Sequence, residues 1–136
     1  MSKAAAVVYW SGTGNTEAMA KAVAEGCSGT LITASDFSAA DAANYDAIAF
    51  GCPAMGAEQL EDSEFEPMFE SVKGSLAGKK VVLFGSYGWG GGEWMNIWAD
   101  DCASSGITLA AEPVVCNEAP DASVLADCRK LGSAIA

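Results

Sequence analysis

Apolar runs without polar alternation recur along this chain, separated by helical patterns. The strongest are residues 4–10, 47–50 and 81–84, and weaker ones lie at 30–34 and 107–116. Such runs, rich in β-branched and aromatic residues, indicate strands buried on both faces. Strands that alternate with helices favour right-handed crossovers. The sequence therefore predicts an α/β fold, a three-layer doubly wound sandwich around a five-stranded parallel sheet.

Four segments between or after these runs have apolar residues at helical spacing. The segment from 65 to 76 has Ser63 and Glu66 at the spacing of a capping box, with Pro67 early enough to be tolerated in the first turn. Trp94 and Trp98, four residues apart, are predicted to be core residues. The apolar positions of the four helices are Ala18, Met19, Ala22 and Val23; Phe65, Met68, Phe69, Val72 and Leu76; Trp94, Trp98 and Cys102; and Val124, Leu125, Cys128, Leu131 and Ile135.

Length and charge limit the classes of function. A chain of 136 residues with 51% hydrophobic residues suits a single domain, 1–136, with a real core. Seven basic and eighteen acidic residues give a net charge of −11, which disfavours nucleic acid and anionic membranes and favours partners with basic surfaces. No apolar run approaches the length of a membrane span. We expect a cytoplasmic monomer, and the acidity could also serve solubility alone.

The cysteine pattern argues against a metal centre. The five cysteines include no C-x-x-C pair, and the chain has no histidine to complete a zinc site or a catalytic triad. Reduced thiols in the cytoplasm fit this pattern best. Cys52, although it is close to the predicted site, is expected to pack rather than react.

The predicted topology also locates a binding site. Ligands of doubly wound sheets bind outside the carboxyl ends of the strands, where the strand order reverses. Here those ends are followed by the loops "SGTGNT", "GCPAMGAE", "GSYGWGGG" and "CNEAP". We therefore expect these four loops to form one site.

The loop "SGTGNT", residues 11–16, offers many hydrogen-bond donors at the start of a helix. Its hydroxyls, the Asn15 amide and successive backbone N–H groups suit a phosphate monoester, although no Lys or Arg is present. An ordinary strand-to-helix turn with a Ser or Thr cap is the alternative. A dinucleotide fingerprint is excluded because Glu17 stands where it needs glycine, and a P-loop is excluded because Gly-Lys-Ser/Thr is absent.

Four segments, "VYWSGTGNTE", "GCPAMGAE", "EFEP" and "LFGSYGWGGGEWM", resemble those of a short-chain, clostridial-type flavodoxin. The resemblance covers nearly the whole chain. It implies the flavodoxin-like strand order 2-1-3-4-5 and non-covalently bound FMN. It also implies that the FMN phosphate is held by hydrogen bonds from Ser11, Gly12, Thr13, Gly14, Asn15 and Thr16.

The resemblance further implies a flavin-ring site. Trp89 would stack on one face of the ring and Met55 would pack on the other. The carbonyl of the Gly56–Ala57 peptide would turn to accept from flavin N5–H after one-electron reduction, and Glu58 would accept from N3–H. Pro53, in the same loop as Met55, is also an implied contact, although it has no N–H to donate. The remaining implied contacts are Ala54, Ser86, Tyr87, Gly88, Gly90, Asn117 and Glu118.

The implied function is low-potential electron transfer rather than enzymatic turnover. The flavin would shuttle between semiquinone and hydroquinone, and the negative charge of Glu58, Glu61, Asp62 and Glu93 would disfavour full reduction. Redox partners, both reductases and electron acceptors, would dock through basic surfaces. An FMN-dependent two-electron reductase of quinones is the alternative, although no inserted substrate-binding segment is visible. A flavin-binding accessory protein of one dedicated enzyme and a binder without redox role remain weaker alternatives.

Overall fold

The computed structural model describes residues 5–10, 12, 14–54, 61, 63–87 and 93–136. Five parallel strands form one sheet in the order β2-β1-β3-β4-β5. The strands are β1 Ala5–Tyr9, β2 Thr30–Thr33, β3 Ala47–Gly51, β4 Lys80–Tyr87 and β5 Val114–Asn117. The predicted fold class and strand order are confirmed.

Helices join consecutive strands and cover both faces of the sheet. They are α1 Asn15–Cys27, α2 Ala39–Ala42, α3 Phe65–Val72, α4 Glu93–Ser104 and α5 Ala122–Ser133. Single 3₁₀ turns at Ala34–Asp36 and Lys73–Ser75 follow β2 and α3. None of the described helices is long and apolar enough to cross a membrane.

Burial follows the position of each strand in the sheet. The central strands β1 and β3 are almost wholly buried, as continuous apolar runs predict. The edge strands differ, because Leu31 of β2 and Val115 of β5 are each about two-fifths exposed at 40% and 41%. Edge strands are covered on fewer sides, which explains why their sequences are less apolar.

Two apolar layers hold the helices to the sheet. The layer under α3 and α4 is aromatic: Phe50 meets Phe69 edge-on at 5.2 Å between ring centroids, and Phe65 meets Trp98 at 5.4 Å. Trp94 and Trp98 are 1% and 2% exposed, so their predicted core positions are confirmed. The opposite layer, under α1 and α5, consists mainly of small and aliphatic side chains, among them Met19 and Val23.

One local prediction was wrong, and two predicted strands have different bounds. The capping box of Ser63 with Glu66 does not form, because Glu64 is the N-cap of α3 and the Glu61 carboxylate binds the first N–H groups instead. The run 107–116 becomes a strand only from Val114, with one isolated bridge between Leu109 and Val81. The run 30–34 ends as a strand at Thr33, where a 3₁₀ turn begins.

Candidate functional site

The carboxyl ends of four strands lie side by side at one edge of the sheet, and backbone hydrogen bonds continue the register past the strands. The Trp10 N–H donates to the Gly51 carbonyl at 3.0 Å, and the Ala54 N–H donates to the Ser86 carbonyl at 3.0 Å. At the far side, the Glu118 N–H donates to the Tyr87 carbonyl at 2.6 Å. The fold therefore brings described residues of all four predicted loops together.

The first loop enters α1 through a left-handed residue. Gly14 is the N-cap, with φ of 95°, and it makes no side-chain cap hydrogen bond. A Cβ there would meet no atom within 4 Å, so the glycine is needed for its backbone conformation rather than for space. An ordinary Ser or Thr cap is therefore not what starts this helix. Ser11 and Thr13 lie outside the described residues.

Thr16 and Ser86 form a buried polar contact in the site. Their hydroxyl oxygens lie 2.8 Å apart, and the two residues are 1% and 4% exposed. Thr16 lies in the first turn of α1, and Ser86 lies near the end of β4. This hydrogen bond joins the start of α1 to the carboxyl end of β4.

The loops that follow β3 and β4 are described only where they leave the strands. Pro53 and Ala54 are half-buried, as is Tyr87, whose ring lies 5.5 Å from that of Trp94. The predicted ring contacts at Met55, Gly56, Ala57, Glu58, Gly88, Trp89 and Gly90 lie outside the described residues.

Cys52 is enclosed at the root of the second loop. Its carbonyl accepts from Trp94 Nε1 at 3.2 Å, and its sulfur accepts from the Glu61 N–H at 3.3 Å. Burial raises the pKa of the Cys52 thiol well above its usual value, so the group stays protonated. This thiol therefore packs and accepts a hydrogen bond, in agreement with its predicted role.

The fifth-strand loop presents Asn117 and Glu118 on the surface. Both residues are exposed, and Glu118 has a φ of 61°. A left-handed conformation is uncommon for a residue with a Cβ. Here the short hydrogen bond from the Glu118 N–H to Tyr87 accompanies it, so the end of β5 is held against the end of β4.

Sequence reasoning missed a second part of this edge. Trp10 Nε1 donates to Glu64 Oε1 at 2.9 Å, which joins the first loop to the turn before α3. The two residues border a cleft of about 400 Å³, whose other lining residues are Tyr9, Gly12, Gly14, Glu17, Thr33, Ala34 and Ser35. The position of Trp10, between a buried strand and a glycine loop, is the signal that could have indicated it.

Negative charge dominates the described part of this edge. Glu61, Glu64 and Glu118 belong to it, whereas Lys73, Lys79 and Lys80 lie at or before the start of β4, at the opposite edge. Burial alone would raise the pKa of Glu61, but hydrogen bonds from the Ser63 hydroxyl and from three backbone N–H groups lower it overall. Glu61 is therefore a carboxylate at neutral pH.

The described donors fit a phosphate ester rather than a metal. An N-terminus of a 13-residue helix without a side-chain cap, entered through Gly14, is a suitable place for an anion. Among the residues that the structure describes, no group of three or more His, Cys, Asp or Glu side chains could hold a metal ion.

Several known proteins with similar sequences or structures are flavodoxins. The family model for flavodoxin matches residues 7–132. The chain is 47% identical over 135 residues to the flavodoxin of Megasphaera elsdenii, covering 96% of both proteins, and 44% identical over 135 residues to that of Clostridium beijerinckii, covering 96% of this chain and 97% of that protein. The solution structure of two-electron reduced Megasphaera elsdenii flavodoxin superposes with a TM-score of 0.88 at 44% identity, covering 96% of this chain and 97% of that one.

Proposed function

The chain belongs to the flavodoxin family, whose members are FMN-bound electron carriers, and we propose that it works as a low-potential one-electron carrier. Bound FMN supplies the redox chemistry, because its ring takes up and releases electrons singly. The observation that carries the proposal is the junction of the four loops at one sheet edge. It is held by the Thr16–Ser86 pair and by the hydrogen bonds from Ala54 to Ser86 and from Glu118 to Tyr87. The comparisons lend no support to the two-electron reductase.

The protein's part in this function begins with the phosphate. We assign it to the N-terminus of α1, with Gly12, Gly14, Asn15 and Thr16 as the described binding residues and Ser11 and Thr13 as their neighbours in sequence. The positive end of the helix dipole and the backbone N–H groups replace formal positive charge. Such a site recognises the doubly charged phosphate and leaves riboflavin, which lacks that group, without this contribution.

The ring is assigned to the loops that follow β3, β4 and β5. Trp89 and Met55 would supply apolar, polarisable contacts on its two faces. The carbonyl of the Gly56–Ala57 peptide would accept a hydrogen bond from the N5–H of the reduced ring, and the Glu58 carboxylate would accept one from the N3–H of the ring. Described residues support this placement at the loop roots, which are Pro53, Ala54, Ser86, Tyr87, Asn117 and Glu118.

The local charge favours a low potential for full reduction. Glu61 is ionised, Glu64 and Glu118 lie at the same edge, and the whole chain carries −11. Added negative charge on the ring is disfavoured by neighbouring carboxylates and by apolar contact. We therefore expect the second one-electron step to have a low potential, so that the fully reduced protein is a strong reductant.

Membership of the family implies redox partners, and the distribution of charge suggests their docking surfaces. Among the described residues, no Lys or Arg lies in the segments 10–16, 51–54, 61–64, 86–87 or 117–118. A basic patch on a reductase or acceptor would be attracted to this edge and oriented by it. We also infer that the chain forms a single domain and works in the cytoplasm. We infer a monomer, because a high net charge opposes self-association.

An anaerobic reductive titration tests this function. The FMN-loaded protein is reduced stepwise with dithionite, and its absorbance is recorded. We expect a one-electron-reduced flavin to accumulate near half reduction. Direct conversion to the two-electron-reduced form would contradict the carrier proposal and favour the reductase.

A further inference from the structure

Ala54 and Glu61 flank residues 55–60 in sequence, and the backbone N–H of each donates a hydrogen bond to the carboxyl edge of the sheet. The Ala54 N–H donates to the Ser86 carbonyl at 3.0 Å. The Glu61 N–H donates to the sulfur of Cys52 at 3.3 Å, so Glu61 returns to the residue where the loop started. The two described residues on either side of segment 55–60, which contains the predicted ring contacts, are thus both held by hydrogen bonds.

The side chain of Glu61 is also held in place by hydrogen bonds. It is 4% exposed, and both of its carboxylate oxygens are occupied. Oε1 accepts from the backbone N–H groups of Glu64 and Phe65 at 2.8 Å each, and Oε2 accepts from the N–H of Ser63 at 2.9 Å and from its hydroxyl. The Glu61 carbonyl also accepts from the Glu66 N–H at 2.8 Å.

These contacts form what we call the Glu61 clasp, composed of Cys52, Glu61, Ser63, Glu64 and Phe65. A carboxylate suits this position because four donors face it and the positive end of the α3 dipole lies behind them. The clasp also reaches the first loop, since Trp10 Nε1 donates to Glu64. It therefore joins three parts of the carboxyl edge.

We propose that Glu61 is a positioning residue for the flavin ring: it fixes the end of segment 55–60 against Cys52 and so places the residues that contact the ring. This inference rests on the proposed function. Because the clasp lies on the ring side of the site, its loss weakens FMN and riboflavin equally, whereas loss of a phosphate contact weakens FMN alone. It also changes the relative ease of the two reduction steps.

The test is Glu61→Gln, which keeps the size of the side chain. The glutamine NH₂ group cannot accept the two hydrogen bonds that one carboxylate oxygen now accepts. We expect the dissociation constants of FMN and of riboflavin to rise together by about ten-fold, and the comproportionation constant from the reductive titration to fall by about ten-fold.

Asp41→Asn is the matched control. Asp41 accepts from the N–H and hydroxyl of Ser38 at the start of α2, so this variant also removes a helix cap and one negative charge. We expect both dissociation constants and the comproportionation constant to stay within about two-fold of wild type. If Glu61→Gln behaves in the same way, Glu61 is only a helix cap and the proposal is overturned.

A second variant covers the case in which Glu61→Gln does not fold. Cys52→Ala removes the acceptor of the Glu61 N–H but leaves the carboxylate contacts, and Cys102→Ala removes a buried thiol on α4 as its control. We expect Cys52→Ala alone to weaken FMN and riboflavin by about three-fold or more. Equal behaviour of the two variants would overturn the proposal. A wild-type protein without a one-electron-reduced flavin would instead count against the proposed function.

Discussion

The hydroxyl oxygens of Thr16 and Ser86 lie 2.8 Å apart in the interior, although the residues are 70 positions apart in sequence. The Ser86 carbonyl also accepts from the Ala54 N–H, so the loops that follow β1, β3 and β4 meet at one residue. A buried polar pair of this kind is costly to break, because either hydroxyl left alone would lack a partner. The loops are thereby held in a common frame.

Thr16→Val removes the hydroxyl and keeps the shape of the side chain. We expect the dissociation constant of FMN to rise by about ten-fold or more, because hydrogen bonds to charged groups contribute about 1.5–3 kcal/mol, while that of riboflavin changes less. Titration calorimetry of the apoprotein with both ligands measures the difference. Thr30→Val, at an exposed position at the start of β2, is the control. Equal losses for both ligands would contradict the phosphate assignment.

Gly56→Val tests the proposed turn of the Gly56–Ala57 peptide. A β-branched side chain restricts backbone rotation, so the carbonyl should reach the reduced ring less well and the first one-electron potential should fall by tens of millivolts. Potentiometric titration gives this value. Gly74→Val, where an added Cβ meets nothing within 4 Å, should leave it unchanged. An unaltered first potential in Gly56→Val would rule out the peptide turn.

Gly85→Ala tests the close approach of β4 to the residue after β3. A Cβ at Gly85 would overlap the carbonyl oxygen of Cys52 and come within 3.0 Å of the Trp94 ring. We expect the free energy of unfolding to fall by at least about 2 kcal/mol, because backbone cannot move aside cheaply. Urea denaturation measures it. Gly74→Ala should change it by less than about 1 kcal/mol; a similar small effect at Gly85 would show that the strands can separate.

The lowered pKa of Glu61 predicts a pH dependence of stability. A carboxyl whose pKa is lower in the folded than in the unfolded state stabilises the protein above the unfolded value, and this contribution is lost as the pH falls through the folded value. The difference in unfolding free energy between wild type and Glu61→Gln should therefore be constant near neutrality and shrink below the ordinary pKa of 4.5.

Urea denaturation of both proteins across this range measures the difference. The comparison isolates the contribution of Glu61, because the two proteins differ at this residue alone. A difference that stays the same down to the lowest pH at which both proteins fold would contradict the assigned hydrogen bonds.

Docking at the acidic edge predicts salt-dependent electron transfer. With a basic cytochrome c as the probe, the second-order rate constant from stopped-flow mixing should fall about ten-fold between about 10 mM and about 200 mM salt. Glu118→Gln should lower the rate at low salt, whereas Glu25→Gln, on α1 and paired with Arg129, should not. A rate independent of salt would exclude the proposed docking surface.

The fold was largely predictable because its signal is local and repeated. Continuous apolar runs such as 47–50 can be buried only between two layers of helices, and the α/β alternation then restricts the topology to few forms. The central strands and the buried Trp94 and Trp98 followed from this pattern. The order of strands came from the resemblance to flavodoxins, and the structure confirmed it.

Elements at the edges were less predictable. Residues 107–113 are apolar enough for a strand, yet pairing with β4 begins only at Val114, apart from the bridge at Leu109. The spacing of Ser63 and Glu66 matched a capping box, but Glu61 accepts both N–H groups from outside the helix, that of Ser63 through its carboxylate and that of Glu66 through its carbonyl. A local pattern cannot show which of several nearby acceptors a tertiary contact will bring closest.

Sequence alone determined which residues we assign to the site: the donors of 11–16, the aromatic and thioether side chains of the predicted ring loops, and the excess of acidic residues. Tertiary structure alone decided how they are held together, through the Thr16–Ser86 pair, the contact of Trp10 with Glu64 and the Glu61 clasp. The physical reason is range. Composition and periodicity act between neighbours along the chain, whereas these hydrogen bonds form only after the packed sheet has brought distant loop ends within 3 Å or so of each other.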